Sequence, residues 1–175
     1  MNQFVIADMK QCIGCRTCEI ACVMAHLGDN PLPMTAENFN PRLRVMKTLS
    51  VSVPMLCRQC ENAPCLNACP NEAIYNQDGS VQVLQSRCIG CKSCMVACPY
   101  GAMEVVVNQG YGSNGVAHQR AQANKCDLCQ GREAGPACVE VCPTAALTLI
   151  RPVDLQAMQL EKQQRAARGS APHLR

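Results

Sequence analysis

The stretch Cys88-Ile89-Gly90-Cys91-Lys92-Ser93-Cys94-Met95-Val96-Ala97-Cys98-Pro99 decides how this chain is read. Its spacing is C-x-x-C-x-x-C-x-x-x-C-P, the bacterial run for iron–sulfur ligation. Three thiolates spaced three residues apart on a turning loop cap three irons of one cubane face. The fourth leaves on a short helical turn and points to the other cluster of a two-cluster unit. Pro99 donates no backbone hydrogen bond and fixes φ, so the chain turns away there. A structural zinc knot, the competing use of such cysteines, is normally built from two separated C-x-x-C hooks converging on one tetrahedral ion.

An upstream copy, Cys12-Ile13-Gly14-Cys15-Arg16-Thr17-Cys18-Glu19-Ile20-Ala21-Cys22, matches residues 88–98 at seven of eleven positions. This is an internal repeat, and repeats precede any decision on fold. Gly14 and Gly90 are expected where backbone passes so close to a cluster that a side chain would obstruct it. The first copy has Val23 where the second has Pro99. Two more groups complete the set: Cys57, Cys60, Cys65 and Cys69, closed by Pro70, and Cys126, Cys129, Cys138 and Cys142, closed by Pro143. Four groups of four use all 16 cysteines. Ala73, Ala102 and Ala146 follow the last three groups, each trailed by a bulky apolar residue (Ile74, Met103, Leu147) that would cover a cluster. Short strands are predicted over 3–8, 81–84, 104–107 and 147–150.

Composition agrees with metal as the source of cohesion. Leu, Ile, Val and Phe total 36 residues, near the level where an apolar core becomes hard to build, and Trp is absent. A core so poor needs another contribution, and cluster binding energy becomes folding energy. Residues 1–10 have no basic n-region, long apolar run or small-residue cleavage site, so a reducing cytoplasmic location is expected and disulfides are not. No apolar run approaches the roughly 18 residues of a membrane span. The formal charge of +3 assumes neutral thiols. Four clusters at about −2 each would carry it to about −5, which removes the support for nucleic-acid binding.

The remaining segments carry less chemistry. Asp29-Asn30-Pro31-Leu32-Pro33 reads as a turn-rich loop, and residues 42–53 as a hairpin with a register change near Leu49. His26 is expected to hydrogen-bond or to lie at the surface rather than ligate, since the cysteines already form complete groups. Residues 108–124, rich in Gly and Asn, read as a mobile surface loop. Residues 153–168 read as a polar helix after Pro152.

The succession of Cys-Ile-Gly-Cys, Cys57-Arg58-Gln59-Cys60-Glu61-Asn62-Ala63-Pro64-Cys65, the run at 88–103 and Lys125-Cys126-Asp127-Leu128-Cys129 resembles the four-cluster iron–sulfur electron-transfer subunits that partner molybdopterin oxidoreductases. Within that family it is most similar to the electron-transport proteins of formate dehydrogenase and formate hydrogenlyase systems. The resemblance implies an α+β fold of two nested, bacterial-ferredoxin-like two-cluster units with short β-hairpins and short helices. Residues 1–30 with 120–150 would form the outer unit and 54–107 the inner one. Residues 31–53 would be a hairpin insertion, 108–124 the mobile loop and 151–175 a C-terminal helix and tail.

The family pattern, which pairs the first group with the fourth and the second with the third, implies four 4Fe-4S sites when combined with the three-plus-one rule. Site a is Cys12, Cys15, Cys18 with Cys142, and site b is Cys126, Cys129, Cys138 with Cys22. Site c is Cys57, Cys60, Cys65 with Cys98, and site d is Cys88, Cys91, Cys94 with Cys69. Lys125, Arg16, Arg58, Arg87 and Lys92, all near ligands, are expected to raise potentials by stabilising the extra electron. With no triad, phosphate loop or flavin signature, a carrier without a substrate site of its own is expected. The implied partners are a hydrogenase or other iron–sulfur acceptor, together with a molybdopterin formate dehydrogenase-type catalytic subunit. A freely diffusing polyferredoxin, a maturation-assisting protein and a zinc-stabilised interaction module are the competing classes.

Overall fold

The computed structural model describes residues 1–27, 34–36, 38–111 and 117–169. The turn-rich loop expected at 29–33 and the tail beyond 169 lie outside the described residues. The rest is an α+β arrangement of short elements: β1 (Phe4–Ala7), α1 (Thr17–Met24), β2 (Arg44–Lys47), β3 (Ser52–Met55), α2 (Pro64–Asn67), β4 (Ile74–Gln77), β5 (Ser80–Val83), α3 (Ser93–Ala97), β6 (Glu104–Tyr111), β7 (Ala117–Asn124), α4 (Ala137–Glu140), β8 (Leu147–Ile150) and α5 (Pro152–Ala167). The strands form two-stranded antiparallel sheets, β1–β8, β2–β3, β4–β5 and β6–β7.

The connectivity nests one half of the chain inside the other. β1 and β8 pair from Phe4↔Ile150 to Ala7↔Leu147, and α1 packs on α4, so the first and last cysteine groups share one body. Within that closure, α2 packs on α3 and β4–β5 closes through Asp78 and Gly79, both at positive φ as a tight hairpin turn requires. Two buried clusters follow the same division. Val5, Leu43, Val45, Leu56 and Leu147 surround Cys18, Cys22, Cys126 and Cys138 in one. Ile74, Val81, Met103 and Ala123 surround Cys65 and Cys94 in the other. The sulfurs are part of the core itself.

The repeat in sequence is a repeat in conformation. Gly14 and Gly90 both have φ +67°, and the residues capping α1 and α3, Arg16 and Lys92, have φ 64° and 66°. Both glycines are also crowded from the protein side. A Cβ on Gly14 would meet Lys47 Cε and Ser52 Oγ at 2.9 Å, and one on Gly90 would meet Ala121 Cβ at 2.5 Å. Each glycine makes room for a hairpin, β2–β3 in the first copy and β6–β7 in the second.

That second hairpin corrects the reading of 108–124 as a mobile loop. Residues 104–111 and 117–124 pair from Glu104↔Asn124 to Tyr111↔Ala117, and residues 112–116 lie outside the described residues. Interactions with the inner unit hold the strand. The Arg120 guanidinium donates to the carbonyls of Gln85 (2.7 Å), Ser86 (3.0 Å) and Cys88 (3.3 Å), and Gln85 Nε2 donates to Ala123 O at 2.8 Å. The hairpin expected over 42–53 occurs as β2–β3, with Leu43 and Val45 in the outer core. The helix expected over 153–168 occurs as α5, which has no fully buried residue.

Gly90→Ala is expected to cost about 2–5 kcal/mol, combining left-handed strain with overpacking against β7. Gly101→Ala, at φ +60° with nothing within 4 Å of an added Cβ, should cost only about 1–2 kcal/mol. Chemical denaturation of both, with Gly90→Ala/Ala121→Gly as a rescue, checks the difference. Equal losses for the two glycines would remove the hairpin contact as the cause.

Candidate iron–sulfur cluster sites

The cysteines gather from distant parts of the chain. One cavity, with an empty volume of about 330 Å³, is lined by Cys12, Cys15 and Cys18 from the first loop and by Cys142 from beyond α4. A second, of about 360 Å³, is lined by Cys88, Cys91 and Cys94 with Cys69. The two have matching covers: the cross-strand pair Val45↔Pro54 lines the first, and Val105↔Ala123 the second. Deeper in, Cys138 lies within electrostatic reach of Cys126, Cys129 and Cys22, and Cys60 and Cys65 within reach of Cys57 and Cys98. Cys126 also feels Cys57, so these two deeper groups adjoin each other.

Burial and ionisation divide the sulfurs. Cys15 and Cys91 are exposed, whereas Cys18, Cys22, Cys65, Cys94, Cys126 and Cys138 are buried. Burial pushes the Cys126 thiol up to about 12 and the Cys65 and Cys18 thiols up to about 11. Cys138 is pushed up further, by burial first and then by the neighbouring sulfurs. At the surface the Thr17 hydroxyl donates to Cys15 Sγ at 3.4 Å, and Ser93 Oγ lies 3.5 Å from Cys91 Sγ. These contacts lower both thiols below their ordinary value.

Soft sulfur donors in sets of four, free of disulfides and crowded where they resist ionisation, fit a cationic iron–sulfur core that supplies the missing charge. Backbone amides already point at sulfur: Arg42 N to Cys22 and Ala73 N to Cys69, each at 3.3 Å, and Gln59 N to Cys57 at 3.4 Å.

Residues 49–151 match the family model described as the 4Fe-4S dicluster domain. The chain belongs to the 4Fe-4S dicluster domain family. It is 53% identical over 173 residues to the electron transport protein HydN of Escherichia coli, covering 95% of this chain and 98% of that one. It is 48% identical over 168 residues to the putative oxidoreductase AegA of the same organism, covering 96% of this chain but 25% of AegA. A probable iron-sulfur subunit of the frd operon of Proteus vulgaris is 48% identical over 138 residues, covering 77% of this chain and 88% of that one. This dicluster-domain protein is an iron–sulfur electron-transport protein with 4Fe-4S clusters.

Polar residues tie the ligand loops of the dicluster-domain protein to one another. His26 Nδ1 lies 2.6 Å from the Cys22 carbonyl and Nε2 lies 3.0 Å from Asp127 Oδ1. Asp127 also pairs with Arg42 and accepts the Cys129 amide at 3.0 Å. Burial alone would pull His26 down, but the Asp127 and Cys22 acceptors outweigh it and raise the imidazole to about 10. Both ring nitrogens are thus taken up in hydrogen bonds, in keeping with its reading as a hydrogen-bonding residue. Asp127 is held far below the usual carboxylate range: burial opposes its charge, and His26 and Arg42 overcome that. Glu19, also buried, accepts the Val45 amide at 2.6 Å and anchors the covering hairpin.

Sequence reasoning did not find Asp127, Glu19 or Gln59 as site-building residues; each is a polar residue beside a cysteine, a pattern that surface loops share. Of the cations expected near ligands, Arg58 lies over the Tyr100 ring at 5.9 Å and Arg87 sits 3.9 Å from Glu72. Lys125 alone among the five is buried.

Asp127→Ala is expected to destabilise the protein by about 2–4 kcal/mol, because it leaves His26 and Arg42 without their shared acceptor. Asp127→Asn, which keeps one acceptor oxygen, should lose less. Denaturation midpoints and the rate of cluster loss under chelator check both. An Asn variant as unstable as the Ala variant would place the value of Asp127 in its charge rather than its hydrogen bonds.

Proposed function

We propose that this chain is the electron-transfer subunit of an oxidoreductase complex, holding four 4Fe-4S clusters in sites a to d. It would link a molybdenum or tungsten formate dehydrogenase-type catalytic subunit to an acceptor such as a hydrogenase. When bound, the clusters supply reversible one-electron transfer. The observation that carries the reading is the graded burial of the sulfurs. Sites a and d each contain one exposed cysteine, Cys15 or Cys91, beside an exposed isoleucine, Ile13 or Ile89. Sites b and c contain no exposed cysteine, and Cys126 adjoins Cys57 between them.

The relatives support a subunit that works with a larger partner. AegA carries a segment like the whole of this chain as a quarter of a protein named an oxidoreductase, and the Proteus relative is itself named a subunit. The formate branch rests on the motif resemblance. No described helix is long and apolar enough to cross a membrane.

Anaerobic affinity purification with mass spectrometry and iron–sulfide analysis tests the reading. The expected result is about sixteen iron atoms per chain and co-purification with a molybdenum or tungsten protein at fixed stoichiometry. Recovery as a partner-free, fully loaded chain would favour a diffusing carrier instead. The ligand sets have their own check. Cys142→Ser and Cys15→Ser should lose the same paramagnetic signal, whereas Cys142→Ser and Cys129→Ser should lose different ones. If Cys142→Ser instead matches Cys129→Ser, the crossed pairing is wrong.

A further inference from the structure

Lys125 precedes Cys126, and its side chain is only 3% exposed. Its Nζ donates to the Cys126 carbonyl at 2.7 Å, to Gln59 Oε1 at 3.1 Å and to the Val81 carbonyl. Three acceptors match the three N–H bonds of an ammonium, whereas a neutral amine has two. All three acceptors are neutral oxygens, and no carboxylate of the described residues forms an ion pair with it. A buried cation without a counter-charge is costly, so something anionic must stand nearby in the working protein.

Gln59 fixes where that cation sits. It lies between Cys57 and Cys60, at φ +50°, and is 2% exposed. Its Nε2 donates to the Cys126 carbonyl at 2.8 Å, and its Oε1 accepts from both Val81 N (2.9 Å) and Lys125. Asn2 Nδ2 holds the Gln59 carbonyl at 3.0 Å. One ammonium is thus clamped between the ligand loops of the second and fourth cysteine groups. It touches both: Gln59 Oε1 belongs to the loop that carries Cys57 and Cys60, and the Cys126 carbonyl to the loop that carries Cys126 and Cys129.

We propose that Lys125 is a counter-charge shared by two cluster sites, b and c, and that it raises the reduction potential of both at the junction between the nested units. Gln59 is the positioning residue that holds it there. Adjacency to Cys126 in the sequence suggests one site for Lys125; its placement in the fold gives it two. The inference rests on the four-site reading above, and iron content separates failure of that reading from failure of this one.

The experiment is a redox titration of the full chain, purified anaerobically, following each cluster by paramagnetic resonance. Lys125→Met should lower two of the four midpoints, each by about tenfold in the reduction equilibrium, or about 59 mV for a one-electron couple. The other two should stay. Gln59→Glu, which leaves the lysine in place but gives it a carboxylate, should move the same two in the same direction. It decides the matter if Lys125→Met does not fold. Lys125→Arg should return both midpoints towards the wild-type values. In fully loaded protein, a shift of no midpoint, of one alone or of all four overturns the proposal. A wild-type iron content well short of four clusters overturns the four-site reading instead.

Discussion

The constraint on which this structure depends is that its core is built of thiols that cannot ionise unaided. Cys126 and Cys138 lie among apolar side chains and other sulfurs, and burial drives both away from the thiolate form. As neutral thiols they are small, weakly cohesive core residues. Bound to iron in the proposed sites, they would become covalent cross-links between segments more than a hundred residues apart. Folding and cluster loading are therefore one equilibrium for this chain, because the residues that fill the core also hold the cofactor. The scarcity of large apolar side chains becomes intelligible: a tightly packed hydrocarbon core would compete for the space.

Nesting follows from the same constraint. In the proposed sites each unit takes ligands from two cysteine groups, and the β1–β8 pairing brings the ends of the described core together around the inner unit. The hairpins then do for both units what the cysteine loops cannot. β2–β3 and β6–β7 lie on equivalent glycine turns and place equivalent residue pairs over equivalent cavities. The two covers share no sequence pattern, yet they occupy the same place in the two halves. The loop repeat therefore extends into a structural repeat.

What was legible beforehand was whatever metal chemistry dictates locally. Four cysteine groups, the Ala-then-apolar step after three of them, and the strands beside them could be read because ligand spacing constrains the backbone directly. The hairpin at 104–124 was missed because Gly110, Gly112, Asn114 and Gly115 crowd one stretch, and composition there describes a turn rather than the strands on either side. Arg120 and Ala121, which hold the second strand, have partners more than thirty residues away, and one sequence does not reveal them. Gly14 and Gly90 were singled out for closeness to a cluster; each lines a cysteine-walled cavity and also backs onto a hairpin, which the sequence did not reveal. His26 was read as hydrogen-bonding or exposed, and it is half-buried with both ring nitrogens in hydrogen bonds.

Gln59 shows the limit most clearly. In the sequence it is a polar residue in a C-x-x-C loop, indistinguishable from one facing water. In the fold its amide is buried and makes three hydrogen bonds, bridging two ligand loops and accepting from a buried cation. A glutamine suits that place better than a carboxylate would: it satisfies the lysine without neutralising it, and so leaves the positive charge available to the sulfurs on both sides. A buried charge that costs stability in the empty protein becomes favourable once anionic groups flank it. That reversal is a reason for an apolar-poor protein to retain an ammonium at its core.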